Sequence, residues 1–470
     1  MYSRSARSRK GDRVADLAAG AGRDGLQPRF PRFSAHFRWG TATSAYQIEG
    51  AVTEGGRGRS VWDTFAATPG KTARGETGEI ACDHYRRYHE DIALMADLGV
   101  SDYRFSLAWP RIQPVGAGPA NPAGLDFYDR LVDALLNAGI TPVATLYHWD
   151  TPQAVEDAGG WMSRDTAHRF ADYATLAAEA LSDRIRWWIT LNEPVIVTLL
   201  GYGLGTHAPG RNLMLGALPT AHHQLLGHGL ATQALRAAGA EHVGIANNHM
   251  PVWADSQHSE DVAAAAAFAD LYNWLFADPL LTGAYPDLRW LDRGLPEQAA
   301  VDLPTIAQPL DFYGLNYYSP ARIRAAAPGS ELPFELVEIT GYPRTASKWP
   351  VVPAGLRETL VGLTERYRDA LPPILITENG CSTADPATAE GTIDDQDRID
   401  FLHAHVAALC GAMDEGVDVR GYFIWSLLDN FEWAEGYGQR FGLVHVDFET
   451  QRRTPKASYH WLRRQLAGTA

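Results

Sequence analysis

Three cysteines in 470 residues, Cys82, Cys381 and Cys410, are too few and too scattered for a disulfide framework. None forms a C-x-x-C pair, so a cysteine-based zinc site is excluded as well. A reducing, cytoplasmic setting is the simplest expectation. No apolar run approaches the length of about 18 residues that a membrane helix requires. Positive charge is also scarce. The 41 Lys and Arg against 56 Asp and Glu leave a net charge of −15. Such a surface repels the nucleic acid backbone rather than attracting it. The first 30 residues, "MYSRSARSRKGDRVADLAAGAGRDGLQPRF", are Arg-rich and lack the sustained apolar stretch of a signal peptide. They read as a disordered extension ahead of a catalytic unit over 31–467.

What is present is a globular mixture, 46% hydrophobic and 21% charged, with ample chain for one large core. Eight apolar runs read as strands: "FRWGTAT", "DYRFSL", "TPVATLYHW", "WWITLNE", "HVGIANNH", "DFYGLNYY", "PILITENG" and "RGYFIWSL". Amphipathic stretches separate them. In "DHYRRYHEDIALMADLG", Tyr85, Tyr88, Ile92, Met95 and Leu98 recur at steps of three and four and Gly99 closes the pattern, as a helix end prefers. Strict alternation of eight strands with helices predicts a single closed (β/α)8 barrel. The connection over about 250–310 is long enough for two helices. The Pro-, Gly- and Ser-rich stretch 319–355 reads as a loop excursion over the barrel mouth.

The strand ends share an unusual chemistry. They carry Gln47, Arg104, His148 with Trp149, Asn192 with Glu193, Asn247 with Asn248, Asn316 with Tyr318, Glu378 with Asn379, and Trp425. Turn-forming preference accounts for Gly, Asp, Asn and Ser at such places, but not for Glu, Arg, His and Trp. In a barrel these side chains converge on one site. Glu193 and Glu378 end strands four and seven, across the mouth from one another. Two facing carboxylates suit glycosidic cleavage, one protonated to donate to the leaving oxygen and one ionised to attack. Arg104 is the candidate to keep one of them ionised, while burial raises the other. The Trp residues near the mouth, Trp149, Trp349, Trp425 and Trp433, offer flat walls for the C–H faces of a sugar.

In order along the chain, "FRWGTATSAYQIEGA", "YRFSLAWPRI", "LYHWDTPQ", "TLNEP", "GYGLGTHAPG", "LNYYSP", "ITENG" and "WSLLDNFEW" resemble the motifs of glycoside hydrolase family 1, the β-glucosidase family. The resemblance runs from about residue 31 to the C-terminus. It implies a retaining β-glycosidase, without cofactor or metal, acting on small β-glucosides and short oligosaccharides such as those from cellulose. Galactosides and fucosides, differing at one or two hydroxyls, fall in the same class. By motif, Glu193 resembles the acid/base and Glu378 the nucleophile. Arg104 and Tyr318 resemble the residues that tune that nucleophile, and Asn192 the amide that bonds the sugar 2-hydroxyl. Gln47, His148, Glu432 and Trp433 match the readers of the other hydroxyls. Trp425 matches the stacking floor, Trp349 the aglycone aromatic, and Trp149, Asn316 and Phe441 complete the set. Glu432 is the acidic residue of plain-sugar enzymes, where the 6-phospho branch has serine. Glu193 is intact, where plant thioglucosidases have glutamine. Val195 departs from the tryptophan that many members carry after "NEP".

Two rivals stand beside this reading. A metal-dependent hydrolase would need ligands at strand ends, whereas His222, His223, His403 and His405 fall in helical patterns. A non-catalytic sugar-binding protein would keep the aromatics without needing both glutamates. The composition does not exclude a homo-oligomer. If residues 1–30 stand apart from the barrel, their deletion leaves activity and melting temperature unchanged. A large fall in melting temperature would instead place the arm against the barrel.

Overall fold

The computed structural model describes residues 30–288, 294–385 and 392–468. The eight apolar runs are the eight barrel strands: β1 (Arg38–Ala42), β2 (Asp102–Ser106), β3 (Thr141–Tyr147), β4 (Trp187–Asn192), β5 (His242–Asn248), β6 (Phe312–Asn316), β7 (Ile374–Asn379) and β8 (Val419–Trp425). Each pairs in parallel with its neighbours in sequence, and β8 pairs with β1 to close the barrel. The amphipathic stretches form the outer helices. The helix His84–Leu98 ends at Gly99, whose φ of 84° and N–H bond to the Met95 carbonyl make the predicted C-terminal stop.

Seven strands fill the barrel interior with apolar side chains: Ala42, Val143, Ile189, Ala246, Phe312, Leu375 and Phe423, capped by Trp425 and Phe441. The strand β2 supplies none. Its Arg104 lies in register with Ala42 on one side and Val143 on the other, so it points inward with them. The barrel therefore spends one interior position on a guanidinium.

The long connection after β5 holds a helix, Ser259–Ala269, that continues through a π turn into Leu275–Leu281, and a second helix, Ala299–Ile306. The stretch 319–355 is more ordered than a loop. Strands Ala321–Ala325 and Phe334–Val337 form a hairpin, and Val252–Ala254 pairs alongside to make a small three-stranded sheet. Pro328 and Gly329 belong to the turn between them, and that turn chemistry masked the short strands in the sequence. Packing starts at the first described residue. Phe30 stacks on Trp39 at 5.1 Å, meets Trp461 edge-on, and donates its N–H to Gln465. Residues 1–29 lie outside the described residues.

The glycine of "ITENG" has a steric reason. A methyl on Gly380 would sit 1.8 Å from the Trp425 carbonyl oxygen, because the ends of β7 and β8 approach closely there. Gly380→Ala should therefore cost about 1–3 kcal/mol of stability or more. It should also lower activity by displacing Glu378 or Trp425. A melting curve and turnover equal to the parent protein would refute this packing.

Candidate active site

Two strand irregularities prepare the site. Between Ile189 and Asn192, β4 gains a residue on β5, and between Ile376 and Glu378, β7 gains one on β6. Bulges of this kind re-aim the side chains that follow. Three site residues then sit in the left-handed backbone region: Trp149 at φ 75°, Glu193 at φ 46° and Trp433 at φ 52°. That conformation costs a non-glycine residue about 1–3 kcal/mol and persists where the surroundings dictate it. Pro194 follows Glu193 and opens the next helical turn, as the strand end in "TLNEP" predicts.

The cavity at the C-terminal mouth is lined by both glutamates. His148, Trp149, Tyr318, Trp349, Trp425, Glu432, Trp433 and Phe441 line it too. Arg104, Asn192, Asn316 and Gln47 lie behind this lining, fully buried, and act on it through hydrogen bonds. The predicted residues thus come together.

Arg104 is the hub. Its Nη1 donates to Glu378 Oε1 at 2.7 Å and to the Thr377 carbonyl at 3.0 Å. Its Nη2 donates to Asn192 Oδ1 at 2.6 Å, and its Nε to Thr145 at 3.2 Å. The Tyr318 hydroxyl donates to the other Glu378 oxygen at 2.7 Å. Because a guanidinium only donates, it fixes Asn192 with Oδ1 inward and Nδ2 toward His148 Nε2, 3.0 Å away. His148 Nε2 is then the acceptor, and the ring proton sits on Nδ1. Burial, reinforced by Arg104, holds His148 well below the usual imidazole range, so the ring is neutral.

Glu193 has different company. Asn316 and Asn248 both donate to its Oε1, at 2.8 and 3.0 Å. Burial first, and the charge of Glu378 second, push it up to about 8. Burial raises Glu378 as well, but Arg104 and Tyr318 act directly in the opposite sense. One carboxylate faces a cation and a phenol, the other faces amides. Glu193 holds its proton near neutrality, on Oε2, since Oε1 is taken by two donors. Glu432 is pushed up to about 8 by burial and by the two other glutamates, with Gln47 Nε2 donating to it at 3.3 Å.

The aromatic walls are packed, not loose. Trp425 and Trp433 flank His148 at 5.6 and 5.8 Å between ring centroids, nearly parallel. Trp433 is backed by Tyr46 and Trp62. Trp149 donates its indole N–H to the Asn192 carbonyl. Trp349 is 38% exposed at the rim, against Tyr318 and Phe441. Val195 is buried under the turn and does not line the cavity.

Asn248, one of the strand-end residues expected to converge on the site, donates to Glu193, a role the sequence does not assign to it. Its carbonyl accepts from Tyr272 at 3.3 Å. Ile196, Leu200 and Met250 also line the cavity, and nothing in an apolar residue after a strand announces that role. No group of three or more His, Cys, Asp or Glu residues able to hold a metal occurs among the described residues. His222 bonds Asp302 and Tyr285, and His405 bonds the Phe401 carbonyl.

Residues 30–468 match the family model for glycosyl hydrolase family 1. The chain belongs to that family. It is 47% identical to thermostable beta-glucosidase B of Thermobispora bispora, over 98% of this chain and 96% of that one. It is 44% identical to a bifunctional beta-D-glucosidase/beta-D-fucosidase of Bifidobacterium breve, over 93% and 98%. Among solved structures, the family 1 β-glucosidase of Thermotoga maritima superposes with a TM-score of 0.91 at 42% identity, covering 94% of this chain and 99% of that one.

Proposed function

We propose that this family 1 member is a retaining β-glucosidase that removes terminal β-D-glucosyl residues, with β-fucosides and β-galactosides in reach of the same pocket. The observation that carries this reading is the unequal pair of buried carboxylates, Glu378 on Arg104 and Tyr318, Glu193 on amides alone. In the first step Glu193 gives its Oε2 proton to the glycosidic oxygen as the bond from that oxygen to the anomeric carbon breaks. A Glu378 oxygen forms the new bond to that carbon, giving a glycosyl ester and a free alcohol. In the second step the Glu193 carboxylate takes a proton from water, the water oxygen bonds to the anomeric carbon, and Glu378 leaves as carboxylate. Two inversions return the β-anomer.

The remaining groups read the sugar. Asn192 keeps a free N–H for the 2-hydroxyl, a contact that strengthens as positive charge develops on the ring. The His148 Nδ1–H donates to a neighbouring hydroxyl. Glu432, Gln47 and the Trp433 indole suit the distal hydroxyls, and Trp425 lies beneath the ring. The cavity lining holds three glutamates and no lysine or arginine, so the phosphate of a 6-phosphorylated sugar finds no cation to pair with. The three cysteines are unpaired, in keeping with a reducing, cytoplasmic setting. No described helix is long and apolar enough to cross a membrane.

The two glutamates are separable by leaving group. Glu378→Ala should abolish turnover of every substrate, since no ester can form. Glu193→Ala should keep rapid ester formation from a dinitrophenyl glucoside, whose leaving group departs without a proton. Alkyl glucosides should slow by about 10²–10⁴-fold in the same variant. Its glycosyl ester should accumulate, seen as a burst of dinitrophenolate, and azide should speed the steady state and yield a β-glycosyl azide. Equal slowing of good and poor leaving groups, with no effect of azide, would remove Glu193 from the acid/base role.

A further inference from the structure

Thr377 is the extra residue of the β7 bulge. Ile376 pairs with Leu315 and Glu378 with Asn316, so Thr377 falls between two paired positions of β6. Leu375 faces the barrel interior. Alternation returns Thr377 to that side, and the bulge brings Glu378 to it as well. Two consecutive side chains of β7 therefore meet the polar cluster. Glu378 goes to Arg104 and Tyr318, and the Thr377 hydroxyl donates to Asn316 Oδ1 at 2.6 Å. Thr377 and Asn316 are both fully buried.

That bond bears on how the Asn316 amide is turned. Arg104 only donates, so Asn192 presents Oδ1 to it, and Asn316 presents Nδ2 to the same oxygen, 3.0 Å away. Asn316 Nδ2 also donates to Glu193 Oε1 at 2.8 Å. Its Oδ1 is left facing β7, where the Thr377 hydroxyl satisfies it. Without that hydroxyl the buried carbonyl is unpaired, a cost the amide relieves by turning away from Glu193. We propose that Thr377 is a positioning residue for the acid/base, its hydroxyl holding the Asn316 amide with Nδ2 toward Glu193. This rests on the acid/base reading of Glu193 above and extends it to the strand of the nucleophile. The Thr377 carbonyl accepts from Arg104 at 3.0 Å, so one residue is tied to the supports of both glutamates.

Thr377→Val and Thr377→Ala remove the hydroxyl, Thr377→Ser keeps it, and all three keep the backbone carbonyl. Glu193 also faces Glu378, Arg104, Tyr272, Tyr318 and Glu432, and accepts from Asn248; none of these is altered. Loosening a donor to Glu193 disfavours its carboxylate and raises its pKa. The readout is kcat/KM on an alkyl β-glucoside divided by kcat/KM on a dinitrophenyl β-glucoside, followed against pH. The quotient cancels groups that both substrates need and falls where Glu193 loses its proton. In a folded hydroxyl-free variant this fall should move up by roughly 0.5–1 pH unit, part of the about 1–2 units that a hydrogen bond to a charged group is worth. In Thr377→Ser it should coincide with that of the parent protein. A fall that stays at the parent pH without the hydroxyl, or that moves as far in Thr377→Ser, overturns the proposal, whatever the melting temperatures. A quotient level with pH in the parent protein would instead refute the acid/base reading, and this proposal with it.

Discussion

Arg104 places five N–H donors inside a closed barrel, and four of its hydrogen bonds tie β2 to β3, β4 and β7. A lysine has no planar fork to hold a carboxylate, a carbonyl and an amide at once. The guanidinium sets the ionisation of Glu378, the orientation of Asn192 and, through Asn192, the tautomer of His148. Removing one partner of a buried pair costs about 3–5 kcal/mol, because the other charge is left uncompensated. The same interaction therefore serves stability and chemistry. It explains why one interior position of an otherwise apolar barrel holds a charge.

The surroundings also bear strain. Trp149, Glu193 and Trp433 keep left-handed backbones, and strand bulges lie just ahead of two of the polar strand ends. Around Trp433, groups outside the cavity hold the chain in place. Lys456, fully buried, bonds Asp429 and Asp385, and Asp429 also accepts from Arg440 and the Gly442 N–H. That network pins the segment carrying Glu432, Trp433 and Phe441 to the C-terminal strands and helix. The cavity is thus pinned at its buried polar wall and built of part-exposed apolar side chains at Ile196, Leu200 and Met250.

The barrel was legible because its strands are short, mostly apolar runs rich in β-branched and aromatic residues, too short for helices and alternating with amphipathic helical patterns. The site was legible because Glu193, Glu378, Arg104 and His148 are residue types that a buried strand end has no structural use for. The short outer sheet was not, since three- to five-residue strands beside Pro328 and Gly329 read as turn. Asn248 was legible as one of the converging strand-end residues, but its partner Glu193 was not, because asparagine at a strand end is also ordinary turn chemistry. Ile196, Leu200 and Met250 stayed hidden because an apolar side chain lining a cavity and one filling a core look the same in sequence. The left-handed backbones at Trp149 and Trp433 have no sequence signal, since that region is usually taken by Gly, Asn or Asp.

The unequal ionisation of the two glutamates is the claim on which the mechanism stands. The pH dependence of kcat/KM in the unmodified enzyme tests it most directly, measured on an alkyl and on a dinitrophenyl β-glucoside. The alkyl glucoside needs the Glu193 proton, so its rate should fall tenfold per pH unit above about 8. The dinitrophenyl glucoside needs no proton and should lack that limb, keeping only the loss that Glu432, pushed up to about 8 as well, imposes on both substrates. An identical basic limb on both substrates would contradict the account, because the titrating group would then not be the acid that protonates the leaving oxygen.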